Sequence, residues 1–218
     1  MKIPKVKICC ISSTEEAEIA IKFGASAIGL VSNMPSGPGV IQEELIEEIA
    51  SKIPPPVATF LLTSKTDAGS IITQQRKCKT NTIQIVDSVS FEIYRKLRQE
   101  LPGTKIVQVV HVNGEESVDE AKEVSQFVDA ILLDSGNQKL KVKELGGTGR
   151  THDWSISRLI RDSVDVPIFL AGGLNPENVK EAIGAVDPFG IDLCSGVRVE
   201  GKLNEKLVSE LFNEINSL

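Results

Sequence analysis

The sequence predicts a single (β/α)8 barrel, and three observations point to it. Short β-rich apolar runs alternate with longer amphipathic segments eight times along 218 residues, no linker interrupts the series, and glycine-rich turns follow the last two runs. Strand-helix alternation requires crossover connections, and these give parallel pairing, so eight units are what a closed barrel needs. An open, doubly wound sheet is the other arrangement compatible with the pattern.

The strand candidates are Val6 to Cys10, Ala27 to Val31, Val57 to Leu62, Thr82 to Val86, Lys105 to Val112, Ala130 to Asp134, Pro167 to Ala171 and Gly190 to Cys194. Helical spacing is expected over Ser13 to Phe23, Glu43 to Lys52, Ser88 to Gln99, Ser117 to Phe127, Asp153 to Arg161, Pro176 to Ile183 and Asn204 to Leu218, and most weakly over Asp67 to Lys77. Pro- and Gly-rich stretches at Met34 to Gly39, Pro54 to Pro56 and Gly146 to Gly149 fall between elements and read as loops, so residues 1–218 are expected to form one domain. The stretch from Ser135 to Thr151 is long enough for a lid, since loops beyond ~12–15 residues in compact domains are usually functional or disordered.

Composition narrows the function. A net charge of -6 argues against a general polyanion-binding surface, leaving room only for a local anion pocket, so no nucleic-acid partner is expected. Four cysteines, Cys9, Cys10, Cys78 and Cys194, show no Cys-x-x-Cys spacing and only two histidines accompany them, so neither a zinc site nor disulfides are expected. The opening MKIPKVKICC breaks its apolar run with Pro4, Lys5 and Lys7, which argues against a signal peptide, and no apolar stretch reaches ~18 residues. A cytoplasmic protein without a membrane partner is the expectation. Glu15, Glu16 and Glu18 read as the solvated face of a surface helix.

Alternation assigns faces to the strands. Val6 and Ile8 suit the outer face beneath the helices, turning Lys7 and Cys9 into the barrel. Ile191 and Leu193 take the outer face of the eighth run, leaving Asp192 and Cys194 inside, while the sixth run closes on Asp134. Cys9, Asp134 and Asp192 thus converge on the C-terminal rim, where barrels of this type build their active sites.

The same rim carries phosphate signals. Gly172 and Gly173 follow the seventh run, with Asn175-Pro176 suited to N-cap and first helical position, and Cys194, Ser195 and Gly196 follow the eighth. Glycines there let main-chain N–H groups approach an anion, and loops seven and eight are the usual phosphate corner of the fold. The alternative is that Gly172 and Gly173 serve only a tight turn. Asp192, and Gly147 in the loop after the sixth run, complete the set of substrate-contact candidates.

With VKICCIS near the start, AILLDS, GGTGRTHDW, LAGGLNPENV and GIDLCSGV in sequence, the chain resembles phosphoribosylanthranilate isomerases over nearly its whole length. The resemblance implies an Amadori rearrangement of N-(5-phosphoribosyl)anthranilate in tryptophan biosynthesis, run by general acid-base catalysis without metal or other cofactor. It assigns the base to Cys9 and the acid to Asp134, and phosphate binding to the backbone around Gly172, Gly173, Cys194, Ser195 and Gly196. A thiol base needs its pKa drawn down from ~8.5, for which Lys7 is a candidate cation. The acid needs apolar surroundings or a carboxylate neighbour that keep it protonated.

The chain departs from that family at several positions. The loop after the second run reads Pro35-Ser36-Gly37-Pro38-Gly39-Val40 and lacks the Arg that the family uses at the anthranilate end, leaving Arg150 and Arg198 as substitutes to consider. Cys10 stands where the family has Gly, Cys194 where it has Ser, and Val86-Asp87 where it has His-Gly, with Asp87 expected to cap the next helix. His111 matches none of the family motifs, and is either a pocket residue or a structural one. These changes gather on the aglycone side. They leave two alternatives beside the anthranilate isomerase: an isomerase of another phosphoribosyl amine, or a non-catalytic phosphosugar-binding barrel. The oligomeric state is not readable.

Overall fold

The structure is a computed structural model that describes residues 3–136, 149 and 151–218. Eight parallel strands close on themselves in chain order, β1 (Lys5–Ile8), β2 (Ala27–Val31), β3 (Ala58–Thr63), β4 (Thr82–Ile85), β5 (Lys105–His111), β6 (Ala130–Asp134), β7 (Ile168–Leu170) and β8 (Gly190–Leu193). The β1–β8 seam, with Lys7 opposite Asp192 and Ile8 opposite Leu193, closes the barrel and excludes the open sheet.

The helices follow as α1 (Thr14–Phe23), α2 (Glu43–Lys52), α3 (Ala68–Cys78), α4 (Phe91–Glu100), α5 (Glu116–Ser125), α6 (Trp154–Ser163), α7 (Val179–Val186) and α8 (Glu205–Asn216). Local chemistry sets their ends. Ser13 Oγ accepts from Glu16 N and Gly24 closes α1 at φ 113°, where a Cβ would be strained. The weakest expectation, α3, is a full helix because Asp67 Oδ1 accepts from Ser70 N and Ile71 and Ile72 are buried. None of the described helices is long and apolar enough to cross a membrane.

Two expected caps are corrected. Asn175 does not start α7; its Oδ1 accepts from Glu177 N and Asn178 N, making a separate turn before the helix begins at Val179. Asp87 does not cap α4 either, because Val89 and Ser90 intervene; its carboxylate turns back to accept from Ser88 N. A 3-10 turn (Ser195–Val197) and a short hairpin, β9 (Arg198–Val199) with β10 (Lys202–Leu203), lie between β8 and α8 and have no periodic signal in the sequence.

The apolar residues divide into two layers. Val6, Ile8, Leu61, Ile131, Leu133, Ile191 and Leu193 belong to the layer between strands and helices. Val31, Phe60, Leu62, Val107, Val109, Leu132 and Phe169 fill the barrel interior. Strand parity produces this division, and full burial of each large side chain contributes about 1.5–3 kcal/mol. Polar groups that share the inner parity must therefore pair with one another or open onto the cavity at the rim.

Candidate active site

A cavity opens at the C-terminal rim, and its walls include Cys9, Gln84, Asp134, Asp192, the Gly172–Gly173 turn and the Cys194–Ser195 segment. Cys9 lies one residue past β1, held in register by its N–H donating to Leu193 O at 2.7 Å. Asp134 is the last residue of β6, 8% exposed, its Oδ1 accepting from Ser135 N at 2.7 Å. Thiol and carboxyl thus line one cavity from strands well apart around the barrel.

Beneath Cys9 the fully buried Lys7 donates from Nζ to Asp192 Oδ2 at 2.8 Å and lies 5.2 Å from the Phe60 ring centroid. Burial lowers the Lys7 pKa, but Asp192, Cys9 and Cys10 outweigh it and hold the ammonium's pKa well above its ordinary value. Burial pushes Asp192 up to about 8, the nearby Cys9 and Asp134 adding to it against the pull of Lys7. The Cys9 thiol is drawn down to about 6, first by the neighbouring Cys10 thiol and then by the Lys7 charge, both acting against burial.

Gly29 makes this arrangement fit. A Cβ there would stand 2.8 Å from Cys9 Sγ and 3.0 Å from Lys7 Nζ. Gly29 and Gln84 are two site residues the sequence does not single out, though a glycine inside the strand AIGLV is the usual mark of close approach. Gln84 Oε1 and Asp192 Oδ1 are buried acceptors without a hydrogen-bond partner among the described residues, and both residues line the cavity.

At the other end Gly172 (φ 83°) and Gly173 (φ 64°) adopt left-handed conformations that a side chain would strain, and together with Cys194 and Ser195 they wall the cavity. Gly196 is not among the lining residues. A Cβ on it would strike Leu174 O and lie 2.9 Å from Asn175 Cα, so its part is to let the loops after β7 and β8 touch. Gly147 and Arg150 lie outside the described residues, as does most of the expected lid from Ser135 to Thr151.

Three further expectations are settled by partners distant in sequence. Glu16 is not on a solvated face: it is 9% exposed and accepts from Arg198, from Ser12 N and from Leu203 N at 2.8–3.2 Å. Arg198 cannot serve the aglycone, because it is committed to Glu16 and to the main-chain oxygens of Cys9 (3.1 Å) and Cys10 (2.6 Å). His111 shares the inner parity of β5 but does not line the cavity; its Nε2 lies 3.2 Å from Val86 O.

Cys10 occupies a left-handed conformation at φ 61°, which accounts physically for glycine as the usual residue in the resembling motif. Its Sγ lies 2.6 Å from Cys194 Sγ and 3.6 Å from Pro38 O. The loop carrying Pro38 and Gly39 is pinned over it by a bridge between Val31 and Val40. No Lys or Arg lines the cavity among the described residues.

Comparison with known proteins agrees with this geometry. The sequence model of the family described as N-(5'-phosphoribosyl)anthranilate (PRA) isomerase matches residues 6–214. The N-(5'-phosphoribosyl)anthranilate isomerase of Methanocella arvoryzae is 33% identical over 212 residues, covering 97% of each chain. Isomerase 2 of Methanosarcina mazei is 36% identical over 195 residues, covering 89% of this chain and 85% of its own. The crystal structure of phosphoribosyl anthranilate isomerase from Thermotoga maritima superposes with a TM-score of 0.84 at 30% identity, covering 99% of this chain and 100% of that one. A phosphoribosyl anthranilate isomerase in complex with reduced 1-(o-carboxyphenylamino)-1-deoxyribulose 5-phosphate superposes at 0.82 with 28% identity, with the same coverage. With its barrel, its rim cavity and a match running from the first strand into the last helix, this chain belongs to the N-(5'-phosphoribosyl)anthranilate isomerase family.

Proposed function

We propose that the chain, acting as one barrel domain, rearranges N-(5'-phosphoribosyl)anthranilate to the 1-deoxyribulose 5-phosphate aminoketose, with Asp134 as general acid and Cys9 as general base. Asp134 gives a proton to the furanose oxygen, the ring opens to a Schiff base, and the Cys9 thiolate removes the C2′ proton. The enolamine then tautomerises to the ketone, so atoms and oxidation level of the whole molecule are unchanged. The observation that carries the reading is that the Cys9 thiol, with the Lys7 ammonium beside it in front of Gly29 and its pKa lowered toward 6, lines the same cavity as the Asp134 carboxyl. Such a thiol is largely thiolate at neutral pH and still accepts a proton, the compromise that a general base requires.

The remaining contacts follow from what each wall offers. Main-chain N–H groups of the Gly172–Gly173 turn and of Cys194 and Ser195 suit the phosphate. Asp192 Oδ1 and Gln84 Oε1, buried and otherwise unpaired, suit ribose hydroxyls as donors to them. Val31, Met34, Pro38 and Leu62 give the aromatic ring an apolar wall. The reading places the enzyme in the cytoplasm with a small phosphosugar as its partner, and assigns no role to nucleic acid, membrane or cofactor.

Purified protein should turn over N-(5'-phosphoribosyl)anthranilate and restore growth of an auxotroph lacking this isomerase. Cys9→Ser and Asp134→Asn should each lose about 10²–10⁴-fold in kcat while still binding a ribose 5-phosphate analogue. Full activity in either variant would overturn the assignment of roles. The lack of a cation among the described lining residues favours one second reading, another phosphoribosyl amine as substrate. Tight binding of the ribose 5-phosphate analogue with negligible turnover of the anthranilate compound would select it.

A further inference from the structure

Two cysteines the mechanism does not use as acid or base meet at the mouth of the cavity. Cys10 ends the β1 side and Cys194 the β8 side of the barrel seam, where Ile8 and Leu193 are register partners. Their sulfurs lie 2.6 Å apart, both thiols being free, whereas a disulfide bond is ~2.05 Å long. Both residues line the cavity, Cys194 partly exposed and Cys10 buried, so a small reagent reaches Cys194 first.

We propose that Cys10 and Cys194 form a reversible disulfide that switches off the catalytic base Cys9, an inference that rests on the role assigned to Cys9 above. The oxidant is a low-molecular-weight disulfide, R–S–S–R. The Cys194 thiolate attacks one of its sulfurs, the external S–S bond breaks, and one R–S⁻ leaves and takes up a proton. Cys10, deprotonated, then attacks Cys194 Sγ, forming the internal bond and expelling the second R–S⁻. Two protein thiols have lost two electrons and two protons, and the external disulfide has gained them as two R–SH.

The consequence for Cys9 follows from the thiol row. Cys10 keeps its proton in the reduced protein, its pKa held well above the ordinary thiol value by the Cys194 and Cys9 thiols and by burial. The neighbouring Cys10 thiol is the largest influence lowering the Cys9 pKa. Once Cys10 Sγ is bonded to Cys194 that thiol is gone, and the Cys9 pKa rises toward its ordinary range. The new bond also ties the loop after β1 to the segment assigned to phosphate.

The experiment equilibrates the full chain in glutathione buffers of stepped oxidised-to-reduced ratio, caps residual thiols, maps the peptides and measures kcat/KM. The expected result is loss of two hydrogens, a link between the Cys10 and Cys194 peptides, a fall of up to about 30-fold in kcat/KM at neutral pH, and recovery with dithiothreitol. In Cys10→Gly and Cys194→Ser the ratio of oxidised to reduced activity should stay near one, whatever their reduced activity, whereas Cys78→Ser should keep the response. Failure to form the link, a link to Cys9 instead, or a Cys10–Cys194 link that leaves kcat/KM unchanged would each overturn the switch. Ultraviolet titration of the Cys9 thiolate in the two states needs no substrate. If the link forms and that titration shifts upward while the anthranilate compound is not turned over, the substrate assignment fails and the switch stands.

Discussion

Lys7 donates to Asp192 at 2.8 Å while sharing with Cys9 Sγ the space in front of Gly29. One buried cation therefore faces two acids and pulls both down: with the Cys10 thiol it outweighs burial at Cys9, lowered to about 6, while burial outweighs it at Asp192, raised to about 8. Since Cys9 acts as thiolate, kcat/KM should rise with pH through about 6 in the wild-type protein. Lys7→Met removes the charge but keeps the stem, so the acid limb should move upward, at most to the ordinary thiol value of ~8.5, with up to about 30-fold loss at pH 7. A pH–rate profile whose acid limb stays near 6 in Lys7→Met would show that Lys7 does not tune the base.

How much of this was legible in the sequence depends on range. Alternation along β1 and β8 is a local signal, so Lys7, Cys9 and Asp192 could be turned inward, and the closing of β6 on Asp134 follows the same logic. The pairing of Lys7 with Asp192 needs residues 185 apart, as the Glu16–Arg198 pair needs residues 182 apart, and no local pattern announces either. Glu16 looked solvated because its helix face is acidic, while its real partners come from the end of the chain. Cys10 and Cys194 were legible as substitutions for Gly and Ser, and only the barrel's closure shows that the two changes touch.

Gly29 should be intolerant of even a methyl group. In Gly29→Ala the new carbon would stand 2.8 Å from Cys9 Sγ and 3.0 Å from Lys7 Nζ, closer than such atoms approach without displacement. The fold has room to adjust only by moving the base or the cation, so stability should fall by about 1–3 kcal/mol. The kcat should fall by a larger factor than KM rises, because the displaced groups handle the proton and not the phosphate. Denaturant melts with steady-state kinetics check both, and an unchanged kcat would remove Gly29 from the site.

Glu16 and Arg198 support the base from behind, since Arg198 binds the Cys9 and Cys10 carbonyls while Glu16 fixes Arg198 and the Leu203 N–H. Glu16→Gln keeps an acceptor but removes the charge, so the loss at pH 7 should be about 3 kcal/mol, the low end of ~3–5 for breaking a buried pair. Burial alone would raise the Glu16 pKa, but Arg198 and the Leu203 and Ser12 N–H groups outweigh it and lower it. A carboxyl with a lowered folded pKa contributes stability that is complete above its unfolded value, ~4.3, and is lost as pH falls through the folded one. Calorimetry from pH 7 to pH 3 should therefore show a lower Tm for Glu16→Gln at pH 7 and a shallower decline in acid than the wild type. Equal slopes would mean that Glu16 does not titrate in support of the fold.

Gly196 tests the phosphate corner without touching the proton handlers. It does not line the cavity, yet a methyl group on it would strike Leu174 O and approach Asn175 Cα to 2.9 Å, all main-chain obstacles that cannot rotate away. Gly196→Ala must therefore separate the loop after β7 from the loop after β8, carrying the Gly172–Gly173 turn away from Cys194 and Ser195. Phosphate bound by convergent main-chain N–H groups is sensitive to their spacing, each charge-assisted hydrogen bond being worth about 1.5–3 kcal/mol. A loss of one such bond corresponds to a rise of roughly 10- to 150-fold in KM, with kcat and the Cys9 limb of the pH profile nearly unchanged. Inhibition by inorganic phosphate should weaken in parallel. If KM and phosphate inhibition both stay at their wild-type values, the anion is held elsewhere on the rim.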